Sequence, residues 1–348
     1  VRLEAVDNNG LYPIRDAQRD FTTAASFRRH LQKRLPLFLD DFPLASPLST
    51  LENNAPVDLA DVLRRWPAAR LSALVDSEGL AQLPIDHHVK PVALKGGSQQ
   101  AAQQVDLFFT TRLGRYHTHR SHVTESAASG LSPYLHFGHV SAHEIVSRLF
   151  QRESWSQARL APRATGSREG WWGLSPEAES FLDELVTWRE LGYVFADRHP
   201  ETYDQLGSLP LWARNTIAEH AADERPILYS LEELDEAQTH DAVWNAAQRQ
   251  LRREGLIHNY LRMLWGKKIY EWSPSAEVAL KRLVELNNRY AIDGRDPNSY
   301  SGIFWILGRF DRAWGPVRPI FGKLRYMSSE STTRKLRLKT YLERFGPG

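Results

Sequence analysis

The sequence predicts an all-α, predominantly helical fold. Three observations carry that reading. From Asp106 onward apolar residues recur at helical spacing through eight successive segments, no strand-and-helix alternation interrupts them, and Ser, Asp, Pro, Asn and Gly stand at the segment ends where helices start and stop.

Taken in order, residues 1–16 place short alternating apolar residues around Asn8-Asn9-Gly10 and read as the end of a strand-containing unit, so residues 1–20 are expected to be the vestige of an α/β domain. Helical spacing begins at Phe21 and is stopped by Pro36 and Pro43; a Pro/Ser/Asn-rich connector to about Val57, a weak helical pair and a polar linker to Gly97 follow. Residues 21–97 are therefore expected as a helical connector region and 98–348 as the main helical domain. Its amphipathic segments are Leu107–Tyr116, Pro133–Phe150, Glu177–Phe195, Leu211–His220, Ala242–Arg253, Leu256–Trp272, Ser275–Tyr290 and Tyr300–Phe310. No internal repeat or low-complexity tract is present.

A chain of 348 residues that is 42% hydrophobic can bury a large core. It has no cysteine, which excludes disulfides, thiolate metal sites and cysteine nucleophiles, and leaves redox chemistry to a bound cofactor or to aromatics. With 44 Lys+Arg against 42 Asp+Glu, affinity for nucleic acid requires a local basic face. One candidate is the segment from Arg309 to the end, with ten Lys/Arg against three acids; residues 221–241 reverse the balance, with seven acids to one Arg225. Either run also suits a solvated surface. No apolar run approaches a membrane span and the first residues lack a signal pattern, so an intracellular protein without a membrane partner is expected. Eleven tryptophans must serve either the core or a working surface.

Four stretches could carry chemistry. In "SGLSPYLHFGHVSAHE", residues 129–144, Ser132-Pro133 reads as an N-cap and first helical residue, Gly138 as an interruption, and Ser141 with Glu144 as a capping box. Two helix starts so close, led by Ser129 and Gly130, suit either ordinary capping or a phosphate. In residues 240–272, Trp265 and Trp272 are seven apart, about 10.5 Å along one helix, and Trp244 lies on an earlier helix able to pack against theirs. Core packing and a relay of oxidisable side chains both fit. "LNNRYAIDGRDPNSYSGIFW", residues 286–305, reads as an interhelix connection whose polar density also suits a ligand rich in hydroxyls and ring nitrogens. Between Phe304 and Ser329, aromatic and cationic residues interleave, as in a nucleic-acid face or an ordinary protein interface. His139 and His143 form a lone i, i+4 pair without a catalytic Glu between them, so no metal site is expected.

"SGLSPYLHFGHVS", "ELVTWREL", "THDAVWNAAQRQLRREGLIHNYLRMLWGKKIYEW", "LNNRYAIDGRDPNSYSG" and "RPIFGKLRYMS", in that order, resemble the DNA photolyase/cryptochrome family, and most closely its class II cyclobutane pyrimidine dimer photolyases. The resemblance covers residues 100–330 well and the first hundred more loosely. It implies a helical domain of photolyase type that binds FAD, active as reduced FADH⁻, and repairs UV-damaged DNA under blue light after a pyrimidine dimer is flipped out. A cryptochrome-like photoreceptor without repair activity is the alternative. A monomer is expected.

Residue by residue, the resemblance implies FAD contacts from Tyr116, Ala128, Ser129, Gly130, Leu131, Ser132, Arg189, Arg262, Asn287 and Asp293, with Asn287 facing the flavin ring and Arg262 and Asp293 forming a charge pair beside it. Trp244, Trp265 and Trp272 match the electron-transfer tryptophans. Glu184 matches the carboxyl that meets the lesion, and Arg120, Trp188, Asn259, Met263, Trp305, Trp314, Lys323 and Arg325 match or adjoin the lesion and DNA contacts. The chain departs from the family in "SHVTES" after Arg120, in Ala128 where a larger residue is usual, and in a Trp305–Trp314 spacing one residue short. It also lacks all but a vestige of the α/β domain that carries the antenna chromophore, so no antenna is expected on this chain.

Overall fold

Helix starts are written in side chains. Thr23, Ser141, Ser175, Ser275 and Ser328 each accept a hydrogen bond from a backbone N–H in the first turn of the helix that follows, Asp241 and Asp296 do so with carboxylates, and Ser230 with Glu233 forms a reciprocal capping box. The computed structural model describes residues 3–40, 42–50, 58–69, 77–124 and 127–347. Its longer helices are Ala24–Arg34, Ser98–Leu107, Ala142–Arg152, a continuous run from Pro176 to Arg198, Leu211–Glu219, Ala242–Glu254, Asn259–Glu271, Ala276–Tyr290 and Pro297–Ile306. Ser329–Leu336 and Lys339–Phe345 close the chain, and among the described residues strand pairing is limited to two isolated bridges, Thr23 with Phe310 and Arg318 with Gly322.

The described residues fall into two units, Val1–Phe42 with Val92–Gly348, and Pro43–Pro91. Among its described residues the smaller has the 3-10 turn Pro47–Thr50 and the short helices Ala60–Arg65 and Ser77–Ala81; Leu48, Leu59, Val62, Leu63 and Trp66 are exposed on it. Of the connector expected from Pro43 to about Val57, residues 51–57 lie outside the described residues.

In the larger unit, helix Arg189–Arg198 lies against Pro297–Ile306, and Phe195, Phe304 and Phe310 meet between them. Tyr116 packs edge-on with both Phe108 and Phe181, and those two rings meet at a tilt, which docks the short helix Tyr116–His119 on Pro176–Leu182. Helix Ala24–Arg34 is held to the same central run by Arg28, whose guanidinium forks onto Asp183 at 2.6 and 3.0 Å with both side chains buried. Helices Ala242–Glu254, Asn259–Glu271 and Ala276–Tyr290 follow, each packed on the next, and the closing helices pack on the first of them.

Several expectations change. Residues 3–13 form no strand; Glu190 instead takes the backbone N–H groups of Leu11 and Tyr12 at 2.7 and 3.2 Å, pulling the segment onto the helical core. The helix expected from Leu107 begins at Ser98, because the Gln/Ala-rich stretch before it has good helix propensity but little amphipathic contrast. Ser132 opens helix Ser132–His136 as its first residue without a side-chain cap, and Ser141 accepts from Glu144 N–H without the reciprocal half of the expected box.

Candidate active site

Inside the continuous run from Pro176 to Arg198, residues Asp183–Trp188 widen into a π turn. The extra residue per turn changes the facing of the side chains, and Glu184 and Trp188 are left partly exposed where Asp183, Leu185, Val186 and Thr187 are buried. Glu184 pairs with Arg120, each side chain 31% exposed. The Arg120 guanidinium also lies 5.8 Å from the Tyr116 ring centre, and burial keeps that phenol neutral. His258 Nε2 meets the Arg120 carbonyl at 3.0 Å, so the start of helix Asn259–Glu271 stands beside the Glu184–Arg120 pair and presents exposed Asn259, with half-buried Met263 one turn on.

The 128–132 loop is built from outside. Arg112 donates to the Ala128 carbonyl at 3.2 Å and Gln104 to the Ser129 carbonyl at 2.5 Å; Leu131 N–H reaches Ser129 Oγ at 3.4 Å. Gly130 has φ +69°, a left-handed conformation that favours glycine, and a Cβ there would press on the Gln104 amide nitrogen at 2.8 Å and push aside the side chain that holds the loop. The loop leads through Ser132 to His136, whose Nδ1 meets Asp296 at 3.1 Å. Asp296 also accepts from the Tyr193 hydroxyl at 3.3 Å, and Arg189 donates to that hydroxyl at 3.2 Å and to the Asn9 carbonyl. One network thus gathers the loop, the central helix and the 293–296 turn. Beyond that turn Arg262 donates to Asn287 Oδ1 at 2.9 Å and stands 3.7 Å from Asp293 Oδ1, a buried oxygen with no hydrogen-bond donor.

A separate wall holds Trp305 and Trp314, both half-buried. Arg325 stacks on both rings, at 5.2 and 3.9 Å, and Arg312 lies 4.3 Å from Trp314. Asp311 fixes this arrangement by accepting from Arg325 at 2.8 and 3.0 Å and from Trp314 Nε1 at 3.2 Å. Lys323 is exposed nearby in sequence, and its carbonyl accepts from Trp314 N–H.

Trp244, Trp265 and Trp272 form one buried cluster in which Trp244 is central. It is parallel to Trp265, with centres 6.5 Å apart and planes at 3°, and edge-on to Trp272 at 5.7 Å. Helical spacing pairs Trp265 with Trp272; packing places the residue from the preceding helix between them. Trp272 in turn meets Tyr229 and exposed His240, each at 5.3 Å.

No family model matches the chain. It is 33% identical over 346 residues to the deoxyribodipyrimidine photo-lyase of Methanothermobacter thermautotrophicus, a match covering 99% of this chain and 68% of the relative. The chain belongs to the deoxyribodipyrimidine photolyase family. It is also 35% identical over 348 residues to the photo-lyase of Oryza sativa subsp. japonica, covering 98% of this chain and 62% of that one. The helical fold matches that of a bacterial class III photolyase from Agrobacterium tumefaciens with TM-score 0.55 at 17% identity, across 97% of this chain and 61% of the other. The chain therefore spans about two thirds of the length of these photolyases.

Sequence motifs missed the residues that support this candidate site from behind. Gln104, Arg112, His136, Tyr193 and Asp296 hold the loop and the turn, Gln248 accepts from Trp265 Nε1 at 2.9 Å, and Asp311 orders the tryptophan wall. Only the capping position of Asp296 before Pro297 marks any of them in the sequence.

Proposed function

We propose that this chain repairs cyclobutane pyrimidine dimers in DNA by light-driven electron transfer from reduced FAD, in the manner of the class II photolyases. The observation that carries the reading is the combination of two differently built tryptophan sets. Trp305 and Trp314 are half-buried among arginines beside a basic segment, suited to bases and phosphates, whereas Trp244, Trp265 and Trp272 are sealed in the core, suited to carrying charge.

The residues present fit FAD. Asp293 Oδ1 is a buried acceptor lacking a donor, Arg262 and Asn287 adjoin it, and the left-handed Gly130 with the 129–132 N–H groups and hydroxyls suits a diphosphate. FAD bound there in its reduced form supplies the light-driven electron. The protein's own part is positional and electrostatic. Glu184, oriented by Arg120, meets the base edge of the flipped dimer where negative charge develops. Trp305 and Trp314 stack against its pyrimidines, Trp188, Asn259 and Met263 line the cavity, and Arg120, Lys323 and Arg325 meet the backbone. Trp244 bridges Trp265 and Trp272 in a path that replaces an electron lost from the flavin site.

The test is to purify the chain, load and reduce its flavin, and illuminate it with dimer-containing oligothymidylate. Restored thymine absorbance is expected. Unchanged absorbance with flavin demonstrably bound and reduced overturns the reading.

A further inference from the structure

Lys267 is a fully buried cation that the functions above do not use. Its neighbour Gly266 explains how it comes to be there. A Cβ at Gly266 would overlap the Ile306 side chain, so glycine lets helix Asn259–Glu271 approach the end of helix Pro297–Ile306, and the next residue extends into the contact. Lys267 Nζ donates to the Ile306 carbonyl at 2.5 Å, one of the last-turn carbonyls that a helix cannot satisfy internally. A cation at this end also complements the helix dipole.

The same ammonium lies 5.4 Å from the ring centre of Trp305, the residue before Ile306. Trp305 therefore carries Lys267 as well as Arg325, at 5.2 Å, against its indole. Among the described residues, neither Trp244 nor Trp265 has a cation over its ring.

We propose that Lys267 is a positioning residue for lesion recognition, which pins the helix end that carries Trp305 and places positive charge behind the surface on which the flipped dimer stacks. The proposal rests on the repair reading above. Pinning fixes the indole before DNA arrives, so little ordering remains to be done on binding. The charge strengthens the local attraction for a polyanion at the one place where the lesion must enter. The charged groups facing Lys267 are Asp311, which favours its protonation, and Arg325, which opposes it; burial dominates and brings its pKa down to about 7. The extra attraction is therefore present below neutrality and fades above it.

The test uses the flavin-loaded chain and two otherwise identical duplexes, one with a thymine dimer. Lys267→Met keeps the length and apolar stem of the side chain. Expected is about tenfold weaker binding of the dimer duplex with binding of intact duplex unchanged; wild-type dimer affinity falls as pH rises from 6 to 8.5, and the Met variant shows no such step. Equal loss on both duplexes, no loss on either, or the same pH step in both proteins overturns the proposal. Lys267→Gln, which retains a donor for the Ile306 carbonyl, separates the two effects and covers a Met variant that fails to fold: it should be folded, pH-independent and intermediate in affinity, and a Gln variant indistinguishable from wild type across the pH range also overturns the proposal. If wild type itself shows no preference for the dimer duplex, the repair reading has failed instead.

Discussion

The indole N–H of Trp244 donates at 3.0 Å to the backbone carbonyl of Trp265, on the next helix. This bond fixes the two rings in register at a plane angle of 3° and makes Trp244 the centre of the buried tryptophan set. Trp244→Phe should therefore interrupt charge movement from Trp265 to Trp272 more completely than loss of the outer residue Trp272. Photoreduction of the oxidised flavoprotein should slow about a hundredfold, with repair by chemically reduced protein nearly unchanged. The substitution also removes this buried hydrogen bond, while the Trp265 carbonyl keeps its partner within its own helix, lowering stability by about 0.5–1.5 kcal/mol. Flash photolysis and thermal unfolding measure the two effects separately, and unimpaired photoreduction removes Trp244 from the path.

Glu184 and Arg120 pair across two helices at the edge of the proposed lesion cavity. Glu184→Gln keeps the shape and a carbonyl acceptor but removes the charge and the Arg120 ion pair. Affinity for dimer DNA should change less than threefold, whereas the repair yield per absorbed photon should fall about tenfold, less than the roughly hundredfold or greater cost of removing a group outright from developing charge, because the glutamine keeps a polar contact. Binding titration against quantum-yield measurement makes the split; a loss confined to binding assigns Glu184 to docking alone.

How much of this was legible in the sequence differs by element. Helices with strong amphipathic contrast, such as Ala242–Glu254 and Ala276–Tyr290, start and stop within a residue or two of where their spacing puts them. Helix Ser98–Leu107 was hidden, because its residues have propensity without a marked apolar face. Of the candidate site, the runs with a distinctive pattern of residue types, Ser129–Ser132 and Asn287–Asp293, could be singled out from the sequence. It was not legible where one polar side chain supports another across more than a hundred residues. His136 with Asp296 and Arg28 with Asp183 have no local signature, since each residue alone reads as an ordinary surface group.

Arg28 with Asp183 gives a stability prediction. Both side chains are under 10% exposed, and the pair anchors helix Ala24–Arg34 to the first residue of the π turn that carries Glu184. Arg28→Met leaves the carboxylate buried without its main partner and should lower stability by about 3–5 kcal/mol. Arg28→Met with Asp183→Leu should recover much of that, because no unpaired charge remains. Denaturant unfolding of the four proteins completes the cycle; a double variant as unstable as the single one points to lost shape rather than lost charge compensation.

Glu190 gives a prediction in pH. The carboxyl is buried under the 9–12 segment, and burial pushes its pKa up to about 8, against the opposing hydrogen bonds from Leu11 and Tyr12 N–H and the nearby Arg189 charge. At neutral pH the group is therefore mainly protonated in the folded chain and ionised in the unfolded one. A raised carboxyl pKa means that the folded state holds the proton more tightly, so this contribution to stability is complete below about pH 4.5, declines from there, and is lost as pH passes 8. Wild-type stability should fall across that window by an amount on the order of a few kcal/mol beyond what other groups impose. Glu190→Gln is neutral throughout and keeps an acceptor for the segment; its stability should be flatter between pH 5 and 8, and it should exceed wild type above pH 8. Parallel pH profiles of urea unfolding decide the matter: two curves of the same slope would mean that Glu190 folds as a carboxylate, held by the two N–H groups and Arg189 in spite of its burial.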